Sequence, residues 1–121
     1  MIRISSLLYF LGFLQSQNYP DFEVMHFESP HSSSLFLHTM SEQNRFMAII
    51  DSGLDVQWHV RSNHMGLDFK VNQNYLTYYN KIEGSWILAN QMMNEVDTLM
   101  CEGPYVADYH DIQILENGNY L

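Results

Sequence analysis

The residues best suited to chemistry form the string Asp108-Tyr109-His110-Asp111, near the end of the 121-residue sequence. A histidine titrates near neutrality, so one ring nitrogen can give a proton to a leaving group while a carboxylate holds the other. Asp108 and Asp111 are the two carboxylates within reach to do the holding. Strand alternation separates their roles. If Asp111 opens a strand, it and His110 point to opposite faces, and Asp111 is then expected to tie down the incoming loop through backbone amides. For His110 two roles stay open: a group that lines a site, or a loop histidine that hydrogen-bonds between neighbouring sheets.

The other titratable residues offer less. His26, His31 and His38 are spaced 5 and 7 apart across a Pro-Ser-rich loop, which fits no standard zinc pattern, so no metal is expected. His59 follows Trp58 in a strand pattern and is expected to face away from the core that the Trp fills. His64, in RSNHMG, is expected to be a solvated loop residue, with reach to a channel mouth as the alternative. Asp51 and Asp55 in DSGLD lack the spacing and closing Glu of an EF-hand and read as a hairpin turn. Tyr75, Tyr78, Tyr79 and Trp86 either stack on a phenolic ring or fill a core between sheets, as strand aromatics commonly do. Cys101 is the single cysteine, which excludes an intramolecular disulfide and a thiolate cluster. No Gly-rich phosphate loop and no Gly-x-Ser-x-Gly elbow is present.

The elements that must position these residues are strands. FEVMHF (22–27), SLFLHTM (34–40), FMAIID (46–51), VQWHVR (56–61), DFKV (68–71), YLTYYNK (75–81), SWILANQ (85–91), VDTLM (96–100) and DIQIL (111–115) are rich in β-branched and aromatic residues, and most alternate polar with apolar. Between them lie SGLD, NQN, EGS, MNE and ENGN, the residue types that tight turns require. The chain is therefore expected to be all-β. The stretch from Phe46 to Asn80 lies over that from Ser85 to Leu121 as an internal repeat: Val56 matches Val96 at an offset of 40, Asp68 matches Asp111 at 43, and Tyr75 matches Tyr120 at 45. A period of this size filled with four short strands predicts about two blades of a β-propeller; a two-sheet sandwich is the alternative. A propeller closes with typically 4 to 8 blades, so residues 17–121 are expected to be the N-terminal blades of an incomplete propeller domain. In the repeat the aspartate recurs, but the position of His110 is taken by Leu67, which leaves the histidine to be explained separately.

Residues 1–16, MIRISSLLYFLGFLQS, show one basic residue, an apolar run of 11 residues and a small residue at the end. This is a short secretory signal pattern with cleavage expected after Ser16; a buried first strand is the competing reading. The run falls short of the roughly 20 residues needed to span a bilayer, so no stable membrane span is expected. The net charge is -9, and such a surface repels phosphate backbones, so nucleic acid is not an expected partner.

The string DYHDIQILENGNYL, preceded by GLDFKVNQNYLTYYN and a VDT strand, resembles the arylsulfotransferase family, whose members repeat Asp-x-His-Asp followed by a strand and a Pro-Asn-Gly-Asn turn. The likeness runs from Phe22 to Leu121 and departs at Glu116, where the family commonly has proline. The resemblance implies a six-bladed propeller, exported to the periplasm or cell surface. It implies transfer of a sulfate group from an aryl sulfate ester to a phenolic acceptor through a histidine intermediate, with no phosphoadenosine phosphosulfate and no other cofactor. His110 matches a channel-lining histidine of that family, with Asp108 and Asp111 in support; the nucleophilic histidine, and the arginine and asparagine that grip the sulfate, are expected beyond Leu121. A secreted or surface propeller that binds without catalysis is the alternative.

Overall fold

The computed structural model describes residues 19–25, 32–40 and 45–121. The signal pattern at residues 1–16, His26 and His31 lie outside the described residues. Seven strands and no helix are present among them: β1 (Leu35–His38), β2 (Phe46–Ile50), β3 (Val56–Arg61), β4 (Met65–Asn72), β5 (Tyr75–Asn80), β6 (Ser85–Ala89) and β7 (Glu95–Leu99). They form two antiparallel meanders, β1-β2-β3 and β4-β5-β6-β7. The all-β expectation holds to this level.

The two hairpins that the repeat aligns are built alike. Between β2 and β3, Asp51 Oδ1 accepts the backbone N–H of Gly53 and of Asp55, each at 2.9 Å. Between β6 and β7, Asn90 Oδ1 accepts those of Met92 at 2.9 Å and Asn94 at 3.1 Å. The backbone bonds Asp51 N–H to Asp55 O and Asn90 N–H to Asn94 O complete the match. Leu54 and Met93 each take a left-handed φ, 72° and 62°. Each hairpin also carries a bulge at the last residues of its first strand, Ile49/Ile50 and Leu88/Ala89. A short acceptor side chain at the start of a turn satisfies the amides that the bend exposes, and Asp and Asn serve this equally. DSGLD is thus a hairpin turn.

Both faces of the second sheet are covered, which is why β5 and β6 are buried almost throughout. On one face Phe69, Leu76, Tyr78, Ile87 and Ala89 pack with Met47, Phe36, Ile49 and Trp58 of the first sheet. Phe69 stands at the centre, its ring 5.4 Å from Phe36, 6.0 Å from Trp58 and 6.2 Å from Tyr78. On the other face Tyr79 and Trp86 pack with Leu67, Leu99, Ala107 and Ile112. Leu67 and Phe69 should share a face by the period of two, yet they serve opposite cores. The reason lies at Asp68, where a φ of 51° and a register shift between Leu67 and Lys70 turn the strand over. Gly66 permits the close approach of the sheets: at its φ of 102° a Cβ would fall 2.5 Å from Met47 Cγ and 2.9 Å from His38 Cδ2. His59 faces away from Trp58, toward Tyr19 and Phe46. Tyr78, Tyr79 and Trp86 are core residues, while Tyr75 is more exposed.

Two expected strands do not form. Phe22 to Met25 of FEVMHF is exposed coil, since no neighbouring strand pairs with it among the described residues. DIQIL makes a single bridge, Ile114 with Tyr120, in a short turn-back where Gln113 exchanges backbone bonds with Leu121 and Leu115 N–H donates to Asn119 O, while side chains hold its other edge. Asn72 Nδ2 donates to Ile112 O at 2.7 Å, Ile114 N–H donates to Asn72 Oδ1 at 3.2 Å, and Gln73 Nε2 donates to Ile114 O at 3.3 Å. These contacts lay residues 111–114 beside β4 and in the same direction.

Buried Tyr78 donates its hydroxyl to Glu95 Oε1 at 2.8 Å, and burial, then the Glu95 carboxylate, raises its pKa. The folded state therefore keeps a proton that the unfolded chain releases near the ordinary tyrosine value of about 10. The stabilisation is whole below that pH and falls as pH rises above it. Tyr78→Phe is expected to lower stability by about 1–2 kcal/mol near neutrality and to weaken the alkaline loss, measured by urea unfolding at neutral pH and above about pH 10.

Candidate functional site

β4, β5, β6 and β7 place Met65, Asn80, Ser85 and Leu99 at one end of their sheet. His38, Phe46 and Arg61 share an end of the first sheet, and the short link from Arg61 to Met65 brings the two together. The candidate residues gather at this common end. The segment that carries His110 follows β7 there and is pinned from below: Trp86 Nε1 donates to Asp108 O at 2.9 Å and Tyr79 Oη donates to Ala107 O at 3.0 Å. Burial of both rings fixes those donors, so the loop is held by the core. Trp86→Phe keeps a ring but removes the indole N–H, and is expected to cost about 1 kcal/mol in stability and to speed amide hydrogen exchange at Asp108 to His110.

Asp108 Oδ1 lies 2.6 Å from His110 Nδ1 and also accepts the His110 backbone N–H at 2.9 Å. Those two bonds, the backbone one first, lower the Asp108 pKa. An ionised carboxylate only accepts, so Nδ1 carries the proton and Nε2 of the neutral ring presents a lone pair. The Tyr109 ring lies over the imidazole at 4.0 Å and 33°, which limits its rotation. Both side chains are open to solvent, so the pair adds little stability; its effect is to fix the tautomer and aim of the histidine.

Asp111 does not share in this. Its carboxylate accepts a hydrogen bond from Lys70 and another, at 3.3 Å, from Gln113 Nε2, and the Lys70 contact is the first cause that lowers its pKa. Lys70 Nζ also stands 2.6 Å from Asp68 Oδ2, an ion pair rather than an aligned hydrogen bond. The two aspartates that the repeat equates therefore grip one lysine between β4 and the segment beside it. Asp111 is held mainly by side chains, Lys70 first, and the Ile112 backbone amide contributes least, where the sequence suggests backbone amides. The role of Lys70 was legible in part, because Asp68 and Lys70 stand two apart in one strand pattern.

Two cavities open at this end. One, of about 440 Å³, is lined by Trp86, Leu99, Cys101, Asp108, Ile112 and Tyr120 among others; it is largely apolar, and although His110 is not in its lining, Asp108 is. The other, of about 190 Å³, is lined by His38, Met40, Arg45, His64, Leu67 and Lys81. There Arg45 Nη1 hydrogen-bonds His64 Nδ1, and burial, then Arg45, lowers the pKa of His38. Sequence spacing gave no sign of this second group, because Arg45 and His64 belong to different strand connections.

Cys101 is an exposed free thiol. No group of three or more His, Cys, Asp or Glu among the described residues is placed to hold a metal ion, and no helix among them is long and apolar enough to cross a membrane. Compared with family models, with curated proteins and with solved structures, the chain finds no match.

Proposed function

We propose that the two sheets are consecutive blades of an exported, arylsulfotransferase-like β-propeller, in which His110 manages the proton during transfer of a sulfate group from an aryl sulfate ester to a phenol. The observation that carries this reading is the Asp108–His110 pair, with Nδ1 held at 2.6 Å and Nε2 left available. Blade architecture draws support from the matched hairpins at Asp51 and Asn90. It also draws support from the run of residues 111–114 along β4, since first strands of neighbouring blades lie side by side around a propeller axis.

In this reading the apolar cleft beside Trp86 and Asp108 receives the aromatic ring. As the ester O–S bond breaks, the leaving phenolate takes a proton from the Nε2–H of the charged imidazole. The neutral ring, its Nδ1–H still on Asp108, then takes a proton from the acceptor phenol as that oxygen bonds to sulfur. General acid–base help of this kind contributes about 10²–10⁴-fold. A propeller closes with more blades than two, and the histidine that carries the sulfate between donor and acceptor belongs to those further blades. The test is turnover of 4-nitrophenyl sulfate with phenol by the complete propeller. A binding propeller without catalysis predicts the same fold and no turnover.

A further inference from the structure

The pocket of about 190 Å³ at the seam of the two sheets collects a set of groups that the His110 reading does not use. The chain holds 5 Lys and Arg against 14 Asp and Glu, yet two of those five, Arg45 and Lys81, line this pocket together with His38 and His64, and among the described residues no carboxylate does. Three separate connections supply them, the β1–β2 link contributing at both of its ends. His38 ends β1, Arg45 precedes β2, His64 lies in the β3–β4 link and Lys81 follows β5. That convergence requires the close approach at Gly66, whose missing Cβ leaves room for the His38 ring.

Every polar group in the lining is a donor or is placed to become one. The His64 Nδ1 accepts from Arg45, so the neutral ring carries its proton on Nε2 and offers a second N–H. Arg45 retains further guanidinium N–H groups, and the Lys81 ammonium has three. Among the described residues His38 Nε2 is buried without a hydrogen-bond partner, an orphan of the kind that a bound oxygen atom satisfies. His64 is held at a φ of 90° and Asn63 at 34°, backbone values that non-glycine residues seldom adopt and that aim the imidazole back toward Arg45. A guanidinium and an ammonium repel a metal cation, whereas several N–H donors around a small, partly open pocket suit an anion with oxygens on several sides.

We infer that this pocket binds a tetrahedral oxyanion, a sulfate or phosphate group, either as the free ion or as the charged end of an ester. The inference stands apart from the His110 reading and does not depend on it. Local concentration of positive charge at one end of an acidic molecule draws the anion there despite the net charge of -9.

The test is titration of the full chain with sodium sulfate, against sodium chloride at matched ionic strength, read from the ring resonances of its histidines by NMR. The His38 and His64 signals are expected to move together along one saturable curve while the His110 signal stays still. Arg45→Gln should weaken the apparent affinity at least tenfold. Lys81→Gln, at an exposed position where the fold is not at stake, should weaken it about threefold. A parallel titration with 4-nitrophenyl sulfate separates the two sources: tighter saturation than by sulfate assigns the site to an ester, and equal or weaker saturation to the free ion. Linear shifts without saturation, equal curves for sulfate and chloride, movement of His110 along the same curve, or unchanged affinity in Lys81→Gln would each overturn the inference. Loss of sulfotransferase activity with the curve intact would fault the His110 reading alone.

Discussion

Phe69→Ala is expected to lower the stability of the folded chain by about 3–5 kcal/mol, the range for removing a buried aromatic ring. Phe69 is 6% exposed and its ring meets Phe36, Trp58 and Tyr78, so it is shared by both sheets. Among the described residues no other ring has that position. Its removal leaves a cavity that stiff strands on either side are poorly placed to close, and the loss is a large part of the roughly 5–15 kcal/mol that holds a domain folded. The expected result in urea is a midpoint shifted far downward, with the near-ultraviolet signal of the aromatic cluster lost before the secondary structure. Phe69→Leu should cost clearly less. A change below about 1 kcal/mol for the alanine variant would mean that the sheets do not depend on this contact.

His110→Ala is expected to lower sulfate transfer by about 10²–10⁴-fold while leaving stability nearly unchanged, because the side chain is exposed. Asp108→Asn tests the tautomer. The amide can offer an N–H to Nδ1, which places the ring proton on Nε2 and removes the lone pair there, so turnover should fall in the same direction and by less. The low Asp108 pKa comes from the bonds to the His110 backbone and ring. The contribution of the pair is therefore present above the ordinary aspartate value of about 3.9 and is lost as pH falls through the lower folded value. Activity that needs the pair should decline at the acid end of its pH profile, and that limb should disappear in Asp108→Asn.

How far the sequence foretells these residues depends on the distance over which each is determined. VQWHVR specifies β3 from Val56 to Arg61 because its alternation puts Trp58 on one face and His59 on the other within a single strand. The DSGLD turn is equally readable, since Asp51 acts on amides two and four residues away; Asn90, expected in a strand over 85–91, instead opens the matching turn after β6 ends at Ala89. FEVMHF and DIQIL have the same strand composition, but a strand also needs a partner along its length; residues 113–115 pair on one edge only, with residues 119–121, and on the other edge the side chains of Asn72 and Gln73 serve in place of a strand. Nor could alternation alone foresee that Leu67 and Phe69 part company, since the reversal rests on the left-handed backbone at Asp68.

The site divides along the same line. Asp108 and His110 are two residues apart, and their pairing follows from local reach. Asp111 looks like an equal partner in the string, yet it turns to Lys70, 41 residues back. The basic pocket is the extreme case: His38, Arg45, His64 and Lys81 share no motif, and only the meander order of both sheets sets them around one cavity. Residues that act through the backbone nearest them are visible in a string of letters; residues that meet across a seam between sheets need the topology first.

The proposed activity rests most directly on one assay. The complete protein is mixed with 4-nitrophenyl sulfate and phenol, and the release of 4-nitrophenolate and the formation of phenyl sulfate are both followed. Equal release and formation, dependent on phenol and reduced at least a hundredfold in His110→Ala, is the predicted result. No phenyl sulfate, or transfer that proceeds at the same rate without the His110 imidazole, would contradict it.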